Sequence, residues 1–339
     1  MGPHRSKNHQ LGGAVNVAET LGGRFTGQHR TVLVLLNPAA GQGRHAARIQ
    51  RHLAEYASPD LKLIVPDPTD HQEQLRQAHE IIGAGADAVV IFGGDGMVHA
   101  AVQLLAGTQV PLGVVPTGTG NDFARGAGIA RRATIKTLRN LLHHLGQPEL
   151  ATAEVDALRV RITAAGQPPQ ECWAANSVNI GFDARVNQRA NQLRAVPGPL
   201  RYLTALAQTV PSFRPIPFSI TVDGENAERR DSALVCLQNG PFIGGGIPLA
   251  PGARADDGLL DLSVVQPLSR PGLVALFPLL MLRGHSMLRP LKTDQHQRVL
   301  VDVPPQVPIY ADGDELVAGA DRQCQVEVLL QPRALRLLG

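Results

Sequence analysis

Three glycine-rich turns constrain this chain more than any other feature. They are Asn37-Pro38-Ala39-Ala40-Gly41, Gly93-Gly94-Asp95-Gly96 and Pro116-Thr117-Gly118-Thr119-Gly120-Asn121-Asp122. Each follows directly on a short apolar run: Val32–Leu36, Ala88–Phe92 and Leu112–Val115. An apolar run closed by a side-chain-poor turn reads as the carboxyl end of a parallel strand, where an open α/β sheet forms its ligand crevice. Glycine there lets backbone N–H groups approach a polyanion with no Cβ in the way. The turns are therefore expected to converge and hold the phosphate chain of a nucleotide.

At 339 residues the chain exceeds the roughly 250–300 that one core supports, so two domains are expected. After a flexible tail over residues 1–30, strand-like and helix-like segments alternate. A helix opens near Arg44 with Ile49, Leu53 and Tyr56 on one face, and Pro59 closes it. A strand at Leu61–Val65, a helix at His71–Ile82, the strand Ala88–Phe92 and a helix at Val98–Leu105 follow. The strand Leu112–Val115 and a helix at Ile135–Leu145 complete an α/β nucleotide-binding domain over 31–150. Beyond Leu150 come short β-favouring runs: Val155–Ile162, Phe218–Val222, Ala233–Gln238, Leu259–Val265, Gln297–Val303 and Gln325–Leu330. Separated by Gly, Pro and Asp turns, they predict an antiparallel β-sandwich domain over 151–339. One helix is expected around Tyr202–Val210 and a loop over Arg283–Arg289. The active site is expected in the cleft between the domains.

Composition narrows the function. With 43% hydrophobic and 18% charged residues the chain reads as globular. A net charge of +3 and 4% aromatic residues exclude a dedicated nucleic-acid binder. The three cysteines are widely spaced, which favours a reducing cytoplasm over a disulfide scaffold or zinc knuckle. The N-terminal stretch has no apolar core of a signal peptide. The longest apolar run, Leu273–Leu282 with Pro278 inside it, is far short of the about 20 residues a membrane span needs. It reads either as a buried helix or as a groove wall or interfacial contact.

The loops carry the chemistry. Asp95 stands among three glycines, where a carboxylate beside a polyphosphate is repelled. It makes sense if Mg²⁺ sits between the two anions, if it binds a ribose hydroxyl, or if it caps the helix beginning near Val98. Thr119 and Asn121 can hydrogen-bond phosphate or ribose oxygens at a helix N-terminus, and Asp122 could cap that helix. Gly41-Gln42-Gly43-Arg44-His45-Ala46 also fits a dinucleotide fingerprint with Asp67 downstream, but a dehydrogenase would leave the other two turns without a task. No Walker A sequence is present. In the second half, Asn179–Asp183 and Gly244–Gly246 read as turns. Arg254–Asp261 gathers three carboxylates, either a hard-cation site or an acidic turn. Tyr310-Ala311-Asp312-Gly313-Asp314-Glu315 offers a general base, or a type I′ hairpin turn at Asp312-Gly313.

Taken in order, these residues resemble the bacterial diacylglycerol kinase-like lipid kinases, relatives of diacylglycerol, sphingosine and ceramide kinases. The resemblance runs from Thr31 to the C-terminus through Asn37-Pro38 with Gly41, Gly93–Gly96, Pro116–Arg125, Ile180–Ala184, Gly244–Gly246 with Pro251, Asp257-Gly258 and Asp312-Gly313. It implies ATP- and Mg²⁺-dependent transfer of the γ-phosphoryl group to a lipid hydroxyl, most simply that of diacylglycerol. Asn37, Gly41, Gly93, Gly94, Asp95, Gly96, Met97, Thr119 and Asn121 would hold ATP. The carbonyls of Arg254 and Leu259 with the Asp257 carboxylate match the Mg²⁺ site of the family, and Asp95 and Asp314 take the catalytic positions. The implied partner is a diacylglycerol-like lipid at the inner membrane surface, reached by a cytoplasmic protein without a transmembrane segment and without nucleic acid, with room for a homodimer. The chain departs from the pattern at Met97, where Thr is usual, at His99-Ala100, where Asn-Glu is favoured, and at Asp314, where Glu is usual. Sphingoid bases, ceramide or NAD remain alternative acceptors, and loss of catalysis with retained binding remains an alternative role.

Overall fold

The computed structural model describes residues 15–16, 29–37, 49, 53, 60–67, 70–129, 135–193, 195–196, 198–282, 289–317 and 321–338. Gly41, the fingerprint residues around it, most of the helix expected from Arg44, and Arg283 lie outside them.

The first half is built on four parallel strands, β2 (Arg30–Leu36), β3 (Leu61–Val65), β4 (Ala88–Gly93) and β5 (Leu112–Pro116), in the order β3-β2-β4-β5. A two-residue strand β1 (Val15–Asn16) pairs antiparallel with β3. Helices α1 (His71–Gly83), α2 (Asp95–Leu105), α3 (Asp122–Gly126) and α4 (Ile135–Leu145) accompany the sheet. Side chains alternate along each strand, and both faces are covered. Leu33, Leu35, Val89, Ile91 and Val114 pack with Ala78 of α1 and with Val98, Ala101 and Leu105 of α2. Val32, Val34, Leu36, Val90 and Phe92 pack on the other side with Leu138, Leu141 and Leu145 of α4. Burial on both faces is why these strands read as unbroken apolar runs. Asp70 starts α1 by accepting the N–H groups of Gln72 and Glu73 at 3.0 and 3.1 Å. Because β3 lies on one side of β2 and β4 on the other, the sheet reverses its direction of travel between β2 and β4. The crevice of such a sheet opens there, at Asn37 and Gly93.

The second half comprises β6 (Thr152–Ala164), β7 (Gln170–Ala174), β8 (Ser177–Gly181), β9 (Ile216–Val222), β10 (Glu228–Ser232), β11 (Leu234–Gln238), β12 (Leu260–Val265), β13 (Leu291–His296), β14 (Arg298–Val303), β15 (Ile309–Ala311), β16 (Asp314–Val317) and β17 (Cys324–Leu338). Strands β13-β12-β11-β8-β15-β16 form an all-antiparallel sheet. It faces a layer made by β7, β6, β17, β14, β9 and β10. Val178, Ile180, Val235, Leu237 and Leu262 meet Val160, Phe218, Ile220, Val301 and Val326 in the shared core, as alternation on two facing sheets requires. The expected α/β domain followed by an antiparallel sandwich is thus present. The two halves share a strand. β17 runs through the sandwich, bends near Arg333 (φ 53°) and ends parallel to β5 at Leu337, burying Ala334, Leu335 and Leu337 in the α/β core.

Several elements differ from expectation. Helix α2 starts at Asp95, not Val98, because Gly94 adopts the extended N-cap conformation directly after the strand. Asn179–Asp183 is no turn: Asn179–Gly181 ends β8, and Phe182 opens helix α5 (Phe182–Gln192), with Gly181 at φ 97° making the corner. Helix α6 (Gly198–Thr209) covers the expected helical stretch up to Thr209, and Val210 opens a 3-10 turn. Helix α7 (Arg270–Met281) buries Leu273, Leu276 and Leu280 against the outer face of the antiparallel sheet with Phe182 and Val186. Its other side is open, with Val274, Met281 and the following Leu282 exposed by 52%, 56% and 80%. The buried-helix reading of that apolar run therefore holds for its inner face. Among the described residues no helix is long and apolar enough to cross a membrane.

Candidate active site

The glycine turns converge, backbone against backbone. A Cβ built on Gly118 would lie 2.6 Å from the Gly94 Cα, and one on Gly120 would lie 3.3 Å from the Gly245 Cα. Thr117 N–H donates to the Gly93 carbonyl at 2.9 Å, and Asn37 N–H donates to the Phe92 carbonyl at 3.0 Å. Together they floor a cleft of about 350 Å³ lined by Asn37, Gly94–Gly96, Gly118–Gly120, Asp122, Gly244-Gly245 and Asp312–Asp314. Asn176, Asn179, Asn187, Asn191 and Arg201 line it from the sandwich side. A larger cavity of about 1000 Å³ opens elsewhere, between α4 and the 253–256 loop. Of the candidate residues it touches only Arg254, so the chemistry is sited in the smaller cleft.

Charge dominates that cleft. Asp95, Asp122, Asp312 and Asp314 line it, against the single cation Arg201 among the lining residues. Burial pushes the carboxyl of Asp95 well above the usual range, and the neighbouring charge of Asp122 pushes it further, opposed by the Phe123 N–H. Burial likewise raises Asp122 and Asp314. Asp95 does not cap its own helix: its Oδ1 accepts the Phe123 N–H at 3.2 Å, and α2 has no side-chain cap. Nor does Asp122 cap α3. Its Oδ2 accepts the Gly245 N–H at 2.8 Å across the cleft, while its buried Oδ1 has no partner. The buried Asn176 Oδ1 has none either. The neighbouring carboxylates of Asp95 and Asp122, with the unpaired Oδ1 of Asp122, suit a hard divalent cation. Glycine surfaces at the N-terminus of α2 suit an anion.

The other candidates sort as follows. Asp312 (φ 51°) and Gly313 (φ 92°) form the two-residue turn between β15 and β16, with Ala311 paired to Asp314; the positive φ at both is the type I′ signature. That turn holds Asp314 so that its Oδ2 lies 3.7 Å from the Cβ that Gly96 lacks. Glu315 faces away and accepts from Gln188 Nε2 at 3.1 Å. Thr119 is exposed at the rim. Two nucleotide candidates have buried side chains. Met97 lies in the α/β core, 4% exposed, because its side chain fills the space next to Gly93. Asn121 is buried, and its Nδ2 donates to the Gly118 carbonyl at 2.9 Å, so it shapes the turn. Arg254, Asp257 and Leu259 lie outside the cleft lining. Asp257 accepts the Leu259 N–H at 3.0 Å, and Arg254 pairs with Asp256. Among the described residues no cluster of three His, Cys, Asp or Glu side chains could hold a metal.

Sequence reasoning missed Asn176, Asn187, Asn191, Arg201 and Asp122 as cleft residues. For Asn187 and Asn191 a signal existed: Phe182, Val186 and Ala190 recur every fourth residue, which marks one face of a helix and turns its neighbours toward the opening. His99 and Gln103 were also missed as links between the halves. Gln103 Nε2 donates to the Trp173 carbonyl at 2.6 Å, and its Oε1 accepts the Trp173 N–H at 2.9 Å.

Comparison with known proteins agrees with this geometry. Residues 31–152 match the diacylglycerol kinase catalytic domain, and residues 176–339 match the YegS C-terminal NAD kinase beta sandwich-like domain. The chain is 32% identical to a diacylglycerol kinase of Mycobacterium tuberculosis, over 84% of this chain and 88% of that relative. It superposes on a crystal structure of a diacylglycerol kinase from Bacillus anthracis with a TM-score of 0.60 at 20% identity, covering 92% of this chain and 98% of that one. It also superposes on yeast NADH kinase complexed with NADH, with a TM-score of 0.57 at 13% identity over 92% and 84% of the two chains. At such identities the two structures share the fold alone.

Proposed function

The chain belongs to the diacylglycerol kinase catalytic-domain family of lipid kinases, and from that premise we propose that it transfers the γ-phosphoryl group of ATP to the hydroxyl of diacylglycerol. The observation that carries this reading is the contact of the Gly94, Gly118, Gly120 and Gly245 backbones beside four carboxylates. Such a surface accepts a polyphosphate closely but repels its charge unless a cation intervenes.

In this scheme the N–H groups around Gly94–Gly96 and Gly118–Gly120, with Asn37 and Thr119 at the rim, hold the phosphates. Asp95 and Asp122 would hold Mg²⁺, which when bound would supply the positive charge that neutralises phosphoryl oxygens. The acceptor oxygen forms a bond to the γ-phosphorus as the bond to the bridging oxygen breaks, ADP leaves with that electron pair, and Asp314 takes the hydroxyl proton. The Asp257 carboxylate with the carbonyls of Arg254 and Leu259 would hold a second Mg²⁺, on a turn that Asp156 fixes by accepting the Gly258 N–H at 2.8 Å.

The open side of α7, with Val274, Met281 and Leu282, together with Leu200 of α6, supports contact with acyl chains. Arg289 and Lys292 nearby in sequence would add about 1 kcal/mol each toward an anionic surface. The test is to incubate the protein with γ-labelled Mg-ATP and a panel of diacylglycerol, ceramide, sphingoid base and NAD. Label is expected in phosphatidic acid; label in NAD alone, or in none of the panel, would refute this assignment.

A further inference from the structure

We propose that His99 is a positioning residue for Asp314: anchored by Asp312, its imidazolium supplies the positive charge that keeps the Asp314 carboxylate ready to accept a proton. The proposal rests on the reading of Asp314 as the base. Helix α2 carries His99 onto the β15–β16 hairpin, where its Nδ1 lies 3.2 Å from Asp312 Oδ2. The pair is secluded, with 13% of the His99 side chain and 1% of that of Asp312 exposed.

Asp312 has no need of this donor for its own satisfaction. Its Oδ1 accepts the N–H groups of Asn176 and Ser177 at 2.8 and 2.9 Å, and its Oδ2 accepts that of Ala175 at 2.8 Å. Three backbone dipoles already fix the carboxylate and the turn it belongs to. What a histidine adds beyond a neutral donor is charge. An Asn at this position, the residue favoured in the lipid-kinase pattern, could offer Asp312 an N–H but no cation. Asp314 stands where the same pattern has Glu. The two departures meet on one helix face: Asp314 Oδ2 lies 3.7 Å from the Cβ position of Gly96, one turn before His99 on α2, so the shorter base and the cation are neighbours.

The groups around His99 support the same account. Asp312 and Asp314 face it from the hairpin, and Asp95 sits one turn back on its own helix. Cys172 of β7 is pushed up to about 11 by burial and by the charge of Asp312, so it is neutral at physiological pH. Burial opposes a charged imidazole, but its hydrogen bond to Asp312 and the charges of Asp312 and Asp314 outweigh it and raise its proton affinity. In return, burial and Asp312 raise Asp314, while His99 and His71 pull it down. The imidazolium is the major form below the raised His99 value and is lost as pH rises through it.

His99→Asn keeps an N–H for Asp312 and removes the charge. The acid limb of kcat/KM is expected to move up by about one unit in this variant, a roughly tenfold loss on the acid side, with the melting temperature little changed. An acid limb identical to wild type overturns the proposal; should His99→Asn not fold, His99→Gln serves in its place. A second arm needs no turnover: NMR titration of the His99 ring in the wild type and in Asp314→Asn. The midpoint is expected above the ordinary 6.5 in the wild type and lower in the variant, and an unmoved midpoint overturns the proposal. A wild type that transfers no phosphoryl group while its His99 midpoint still follows Asp314 would refute the kinase reading and leave the pairing intact.

Discussion

Asp314→Asn is expected to lower kcat by about 10²–10⁴-fold, the range for loss of a general base, without weakening the fold. The side chain is held by a two-residue hairpin turn and lies against Gly96, with no hydrogen bond on which the structure depends among those described. Its ionised form is disfavoured by burial, so its folded value lies above the unfolded one. The sign follows: ionised Asp314 costs stability once pH exceeds the unfolded value near 3.8, and neutral Asn relieves that cost. The variant should therefore melt at or above the wild-type temperature at pH 8 and bind ATP at least as well, while transfer stops. Parallel loss of melting temperature and activity would instead assign Asp314 a structural role. Asp314→Glu lengthens the side chain by one bond, about 1.5 Å, and tests whether reach limits the rate: a gain in kcat is expected if it does.

Gly118→Ala is expected to abolish measurable nucleotide binding and to destabilise the protein by about 1–3 kcal/mol, the usual cost of forcing an added methyl group into packed surroundings. Its Cβ would stand 2.6 Å from the Gly94 Cα and 2.8 Å from the buried Asn121 Oδ1. Neither neighbour is the free end of a flexible side chain, so relief requires the two turns to part. Parting them removes the surface on which the phosphates are proposed to rest. Gly83→Ala is the control, since a Cβ there meets nothing within 4 Å. Calorimetric titration with Mg-ATP and thermal melts of both variants check the pair. Wild-type affinity in Gly118→Ala would show that the turns do not form the nucleotide surface.

The sequence made the parallel sheet legible for a specific reason. Val32–Leu36 and Ala88–Phe92 are buried on both faces, so their apolar runs are unbroken, and they end abruptly at Asn37-Pro38 and at Gly93. The crevice followed from those endings. The edges of the sandwich were not legible. Glu228–Ser232 and Leu291–His296 are almost wholly polar or exposed, and only their partners' hydrogen bonds make them strands. The candidate site was half legible. Asp95 and Asp314 announced themselves by lying next to glycines. The bond from Gly245 N–H to Asp122 spans 123 residues of sequence, and that from His99 to Asp312 spans 213. No local pattern encodes either. Met97 shows the converse. Its place in the turn suggested the nucleotide, whereas helix α2, beginning two residues before it, directs its side chain into the core.

The most direct measurement is calorimetric titration of ATP into the protein with Mg²⁺ and with a chelator. Saturable binding that requires Mg²⁺ is predicted, because four carboxylates line the surface meant for the phosphates. No uptake of ATP in either condition, or equal affinity in both, would contradict it.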